Sequence, residues 1–545
     1  MRRLGPLPVL VVLVLSAVVF GTMGTASAQI GSYGAPVRFT PKPGTTLTLE
    51  GTGPFRGTIE VRREGSAITV VNELDIDHYV MGVREVPGGW PMEALKAQAV
   101  AARTYALWEI GKGYWKRFGF DVCATVSCQV YQGATAELGE RGRRWVAAVN
   151  ATKGQVLLDA DGNPALTRYH SSSGGRTLAN EVVYPSDGPR PYLRAIDDPY
   201  DRVSPLYRWD VSFKRADLQK ILHEGIGLTG ELTNITADAS SREVTITTRG
   251  GELKMTTVRF RREISEQAPK SFPLLYPSAR KDGEPMPFTL ASSRFTIERT
   301  ETGFIVHGRG YGHGVGMSQW GAMGRAKEGQ TYEQILGAYY GGLRPQPWTG
   351  ERIVRVAVVR GIGSALVSGN GAFGVATNGQ SLAASTLGGW ATATSGVRSV
   401  AVSPPEGHEL PLALTGVRAP DELVVDPPMR GDSLDVGFVV PKPAQVTGIL
   451  EIEGREIARA KQVVEAGERT LAIELDPDDL PGKSSATVKL RAYDGTRTID
   501  SSVGVVLIKP GTPLLVKVLW LFGVLALVVI VLRLRARARL RRRTS

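Results

Sequence analysis

The chain has 545 residues, 42% hydrophobic and 22% charged, which excludes a disordered polymer and exceeds what one domain holds. Its net charge of +12 is concentrated at the ends, where Arg2, Arg3, Lys517 and seven arginines after Leu532 leave only +2 for Gln29 to Pro513. A nearly neutral body gives no reason to invoke nucleic acid.

The N-terminus has the three parts of a signal peptide over residues 1–28: Arg2 and Arg3, an apolar run from Leu7 to Phe20, and the small-residue site Ala26-Ser27-Ala28. An uncleaved anchor is the alternative. Tyr33 to Val71 reads as short strands, LTLEG, RGTIEVRREG and SAITVV, with glycines between them. The stretch that follows, Leu74 to Leu107, organises the chain. A loop carries Glu85, Pro87, Gly88, Gly89 and Trp90, and Pro91 suits a first helical position. Met92 to Leu107 is built of good helix formers, and Ala94, Ala97, Ala101 and Ala102 leave room for close packing. Glu85 thus sits on a Gly-rich loop just before a helix. Asp75, Asp77 and Glu93 read as surface or capping residues.

The two cysteines of the chain, Cys123 and Cys128, have four residues between them. Outside the cell this spacing favours a small disulfide loop over free thiols or a metal site, since zinc prefers four ligands and two are visible locally. Glu140 to Thr152 is helical in pattern, with Trp145, Val146 and Val149 on one side. The segment ALTRYHSSSGGRT has no G-x-S-x-G elbow and so does not suggest a serine hydrolase. Lys214 to Gly225 reads as a surface helix and Glu231 to Met255 as paired strands.

From Gly308 to Gly316 glycine occupies every second position. In an extended chain one face would then be bare backbone, open to close approach, and the other would present Arg309, Tyr311, His313, Val315 and Met317. Tyr339 and Tyr340 end a further helix as packing residues. Ile353 to Val402 has strand patterning, and Pro404-Pro405 marks a boundary. From Glu406 to Pro510 strands alternate, as in Leu471, Ile473 and Leu475, with turns such as Pro481-Gly482 and Asp494-Gly495 between them. This predicts an immunoglobulin-like β-sandwich. Leu514 to Leu532 is long enough to span a bilayer, and the arginine tail at 533–545 would stay cytoplasmic.

Three of these stretches, EVPGGWPMEALKAQAVAARTYA, YHSSSGGRT and VHGRGYGHGVGMSQWG, occur in the order found in the SpoIID/LytB family, which the chain resembles from Tyr33 to Arg344. YPSDGPRPYLRAIDDPYD resembles it more weakly. The resemblance implies an α+β core over 33–345 and, faintly, a small β-module at 350–405; the sandwich at 406–510 and one transmembrane helix at 514–532 follow from the patterns above. It implies a lytic transglycosylase that cuts peptidoglycan between N-acetylmuramic acid and N-acetylglucosamine, leaving 1,6-anhydro ends, with Glu85 as the catalytic acid and no cofactor. Tyr169, Ser172, Gly174, His313 and Gln319 follow as cleft residues. Some members carry histidines beside the cysteines and could bind zinc; Ser127 stands there in this chain, and no metal is expected. Other members are non-catalytic enhancers of a cell-wall amidase, so such an amidase is a possible partner beside the glycan strand itself. A third reading is an envelope scaffold.

Overall fold

A computed structural model describes residues 31–508 except 239–241, 277–285, 379, 396–398, 407, 409, 413, 425–432, 466, 477–479 and 481–482. The signal-peptide, transmembrane-helix and cytoplasmic-tail expectations, and the Pro481-Gly482 turn, lie outside the described residues. Among those described, no helix is long and apolar enough to cross a membrane. The fold mixes helices and strands and is strand-rich, as α+β implies.

Two sheets form the first part of the core. One has the strand order Gln380–Thr386, Phe373–Thr377, Val37–Pro41, Thr58–Glu64, Ala67–Asp75, Ile353–Ile362 and Val122–Cys123. The other runs Gly31–Tyr33, Ser399–Ser403, Trp390–Ser395, Ser364–Gly369, Leu47–Leu49 and Gly53–Phe55. Residues 353–403, read from the sequence as a module beside the core, therefore interleave with residues 31–75. The register pairs Ile353 with Asp75 and Val356 with Asn72. Phe39, Phe373 and Trp390 fill the core, with ring centroids 6.3 and 6.4 Å from Phe39.

The strand Ala67–Asp75 passes directly into helix α1 (Ile76–Gly82), where the sequence suggested only a loop. Asp75 caps it, accepting from the Asp77 amide at 2.8 Å; a carboxylate there satisfies an otherwise orphaned N–H. Asp77 is not the surface residue expected. It is 3% exposed and pairs with Arg103, itself 0% exposed, and with Arg352. Helix α2 (Met92–Lys112) runs past the expected end at Leu107 until Gly113, whose φ of 63° only glycine takes without strain. Its alanines serve two cores. Ala99, Ala102 and Ala106 pack toward the sheets, while Ala97 and Ala101 meet Val315, Met317 and Tyr339. Helix α3 is Gly139–Ala151 and α4 is the short Asn180–Val183.

A separate apolar cluster holds residues 206–306 together. It contains the three-stranded sheets Trp209–Lys214, Gly303–Gly308, Phe295–Arg299 and Leu232–Asp238, Glu243–Thr248, Gly251–Thr256, with helices α5 (Arg215–Ile226) and α6 (Thr257–Ser271). The chain returns through the glycine run to α7 (Gln319–Lys327) and α8 (Tyr332–Tyr339). C-terminal to the core, a three-stranded and a five-stranded sheet enclose a further cluster that includes Leu434, Phe438, Val488 and Leu490.

The glycine run is not the extended ribbon that alternation suggested. Gly310, Gly312, Gly314 and Gly316 have φ of 74°, 96°, 82° and 71°, so the backbone winds rather than pleats. Close approach does occur. A Cβ on Gly316 would lie 2.0 Å from the Arg168 carbonyl, and one on Gly310 2.5 Å from that of Ser172. What approaches the glycines is thus the YHSSSGGRT segment, paired through Tyr169–Met317 and Ser172–Tyr311.

Candidate active site

A cleft of about 820 Å³ opens between these two segments, the start of the organising stretch and the residues 206–306. Glu85 lines it. After α1 ends at Val83 the chain turns antiparallel to the segment after the cysteines. The Arg84 amide donates to the Val130 carbonyl at 2.8 Å, and the Val130 amide donates to Glu85 Oε1 at 2.7 Å. Cys123 and Cys128 form a disulfide, with Cα atoms 5.5 Å apart, that closes the turn just before Val130. Both sulfurs are thereby committed, and neither is a thiolate ligand.

The Tyr169 hydroxyl lies near enough to the Glu85 carboxylate to lower its pKa. It accepts in turn from Gln129 Nε2 at 2.8 Å, and Gln129 Oε1 accepts from Tyr79 at 2.9 Å. Burial raises the pKa of Glu85 above the ordinary carboxylate range, opposed by the Val130 amide and the Tyr169 hydroxyl. Burial also pushes the Tyr169 phenol far up, so it stays a donor. Gln319 Nε2 lies 3.4 Å from the Glu85 carbonyl and 3.4 Å from Gln98 Oε1, fixing the loop from below.

His313 reaches the same cleft. Its Nδ1 accepts from the Val315 amide at 3.1 Å, and burial lowers its pKa to about 4. It is neutral at pH 7 and packs between His170 and Tyr184, with centroids 5.5 and 5.8 Å away. Of the residues expected in the cleft, Glu85, Tyr169, His313 and Gln319 meet there. Ser172 and Gly174 do not. Ser172 is 1% exposed and donates to Asp201 Oδ2 at 2.7 Å; the Gly174 amide donates to the same oxygen at 2.7 Å. Ser318 Oγ binds the other Asp201 oxygen at 2.7 Å, so one buried carboxylate ties two of the signature segments together. Asp198 does likewise, accepting from Ser173 at 2.9 Å and Tyr339 at 2.8 Å.

The loop residues that follow Glu85 do not wall the cleft. Trp90 packs on Trp320 at 5.0 Å, and Val86 and Pro87 line a smaller cavity of about 350 Å³ on the other side of Glu85. The cleft is walled instead by Tyr105, Tyr184, Phe288 and Tyr311, with Arg168 stacked 3.5 Å over the Tyr184 ring and Arg261 5.5 Å from Phe288. Aromatic faces and planar guanidiniums suit the apolar faces and hydroxyl edges of sugars.

Sequence reading missed a second carboxylate. Glu109, on α2, is the other acid lining the cleft; burial raises its pKa, and Tyr105 donates to it at 3.0 Å. Its signal was the continuation of α2: Tyr105 and Glu109 are four residues apart and share a face. Among the described residues no group of three His, Cys, Asp or Glu side chains could hold a metal ion.

A family model described as stage II sporulation protein matches residues 64–158, which include Glu85, α2 and both cysteines. An uncharacterised protein of Brachyspira hyodysenteriae is 31% identical over 332 residues, 60% of this chain and 80% of that protein. Stage II sporulation protein D of Bacillus subtilis is 31% identical over 287 residues, 50% of this chain and 75% of that one. The amidase enhancer of Bacillus subtilis is 30% identical over 290 residues, but these are only 38% of its length.

Proposed function

The chain belongs to the SpoIID/LytB family, and with that as the premise we propose that it is a peptidoglycan lytic transglycosylase with Glu85 as its single acid and base. The observation that carries this reading is a cleft carboxylate whose proton affinity is raised by burial while the Val130 amide holds its position.

A glycosidic oxygen leaves only with a proton, which general acid catalysis supplies as the bond breaks. Glu85 donates it to the oxygen bridging N-acetylmuramic acid and N-acetylglucosamine, and the muramic C1–O bond breaks. The muramic 6-hydroxyl then attacks C1. The Glu85 carboxylate takes the hydroxyl proton and returns to the acid form. No water is consumed, so the paired carboxylates of ordinary glycosidases are not required. The Val130 amide and the Tyr169 hydroxyl stabilise Glu85 in its transiently charged state, and the aromatic walls hold the strand. Glu109 is oriented by Tyr105 and serves the walls rather than the chemistry.

On this reading Leu514 to Leu532 anchors the protein in the membrane with the body outside the cell, in wall remodelling or sporulation. The name of the amidase-enhancer relative favours a second reading, in which the cleft binds glycan without cutting it and a cell-wall amidase is the partner.

The deciding experiment digests glycan strands, with and without stem peptides, and examines the products by mass spectrometry. Ends carrying 1,6-anhydromuramic acid support the transglycosylase. Reducing ends would point to water as nucleophile and to Glu109 as its base. Intact strands that remain bound would favour the enhancer reading.

A further inference from the structure

A second cavity, of about 650 Å³, lies on the far side of the glycine run from the Glu85 cleft. The run joins the two. Gly308 and Arg309 line this cavity, whereas Tyr311, Gly312 and His313 line the cleft. Five arginines border it: Arg176, Arg208, Arg242, Arg294 and Arg309.

Their charge is poorly balanced from within the protein. Asp210 is the one carboxylate among the lining residues, and His307 occupies it at 2.8 Å; the His307 ring binds Glu298 on its other side at 2.9 Å. Arg176 is paired with Asp197. Arg208, Arg242, Arg294 and Arg309 form no ion pair with a described carboxylate. Arg242 spends its donors on the Val182 carbonyl and Ser293 Oγ. Arg294 keeps one terminal nitrogen buried without a partner, and burial together with the Arg309 charge lowers its pKa to about 10. Like charges brought together repel, and burial of one of them raises the cost. A bound anion relieves the repulsion.

We propose that this cavity binds a phosphodiester-linked polyanion, whose successive phosphoryl groups are held by Arg208 and Arg309 beside the charge of Arg242 and Arg294. A lone carboxylate would be satisfied by one bidentate guanidinium. Several guanidiniums around a space much larger than one oxyanion fit repeated phosphoryl groups better, and arginine's planar fork matches phosphate geometry. The proposal rests on the cell-wall reading only for the source of the ligand: a glycan strand lying in the cleft would pass a phosphodiester branch across the glycine run. Binding itself does not require that Glu85 cut anything.

The test titrates the full-length protein in detergent with a poly(glycerol phosphate) hexamer and, separately, with a phosphate-free glycan fragment bearing stem peptides. Each is repeated with the double variant Arg208→Glu and Arg309→Glu. Both side chains are exposed, and unchanged thermal unfolding checks that the variant is folded. The expected result is hexamer binding that weakens at least tenfold in the variant and falls steeply with added salt, with the phosphate-free fragment bound equally by both proteins. Equal hexamer affinity in the two proteins would overturn the proposal. So would a phosphate-free fragment whose binding drops in the variant, because stem-peptide carboxylates would then be the ligand. Should the variant unfold at lower temperature, the single changes Arg208→Gln and Arg309→Gln, which remove charge without reversing it, are expected to weaken hexamer binding severalfold each, and no change in either would equally overturn it.

Discussion

Replacing Glu85 by glutamine separates the demands of folding from those of chemistry at one position. Glutamine keeps the shape. Its carbonyl oxygen can still accept from the Val130 amide, now 2.7 Å from Glu85 Oε1. Its NH₂ would face the Tyr169 hydroxyl, which already accepts from Gln129, so one hydrogen bond worth about 1 kcal/mol is at risk. Against that loss stands a gain. Burial raises the pKa of Glu85 above its ordinary value, so the folded state holds the proton more tightly than the unfolded one. Stability then falls as pH rises from the unfolded pKa through the folded pKa. Each unit of that rise corresponds to about 1.4 kcal/mol at pH values above both. Glutamine never ionises and escapes the penalty. We therefore predict that Glu85→Gln is within about 1 kcal/mol of the wild type, or more stable, at pH 7. It is expected to lose its relative advantage as the pH is lowered to about 4, where the wild-type carboxyl is protonated in both states. Activity should fall about 10²- to 10⁴-fold, the range that general acid catalysis contributes. Thermal melts at the two pH values and the rate of anhydro-end release measure both halves. A variant several kcal/mol less stable at pH 7 would refute the reasoning, because Glu85 would then be a charged structural group. So would one that keeps a tenth of the wild-type rate.

Four further outcomes follow from the same geometry. Wild-type kcat/KM is expected to decline with rising pH through the raised pKa of Glu85, since the reaction starts from the acid, and a flat profile from pH 4 to 9 would contradict the raised proton affinity. Glu109→Gln should cost less than about tenfold in kcat and leave the product anhydro, as end-group mass spectrometry would report; loss comparable to Glu85→Gln would make it a second catalytic carboxylate. Changing both cysteines to serine should cost about 2 kcal/mol for so small a loop. By freeing the Val130 amide, which lowers the Glu85 pKa, it should also move the alkaline limb of the pH profile upward. Asp77→Ala leaves Arg103 buried without its ion pair and is expected to destabilise by about 3–5 kcal/mol, read from denaturant unfolding. Its wild-type contribution should be present above the unfolded carboxylate pKa and lost as pH falls through the lowered folded value.

Local patterns were legible where neighbours in sequence decide the structure. Helix α2, its alanines, the Cys123–Cys128 turn and the strands between Glu231 and Met255 depend on spacing alone. Helix α1 escaped notice because its seven residues include Ile76, Tyr79 and Val80, and no long periodicity develops over so short a span. The Asp75-x-Asp77 cap was the available sign. The winding of the glycine run was hidden because an alternating pattern describes composition and not φ; only contact with Arg168 and Ser172 imposes the left-handed conformations. Ser172 and Gly174 were expected in the cleft from their place in the family signature, and hydroxyls and bare backbone do suit sugars. They equally suit a buried carboxylate, and Asp201 is the partner they have. Glu109 entered the cleft only through the extra length of α2.

The pairing of Ala67–Asp75 with Ile353–Ile362 has a consequence for the order of events in synthesis. The strand that leads into α1 and Glu85 emerges early, but the neighbour that covers its edge, and the strands up to Ser403 that close the second sheet, emerge late. At about 5–20 residues per second the interval is on the order of tens of seconds. Until then the acid-bearing loop is present yet unsupported, and the cleft takes shape only once most of the chain has been made. Under the proposed function, this topology would delay the first cut until the molecule is nearly complete.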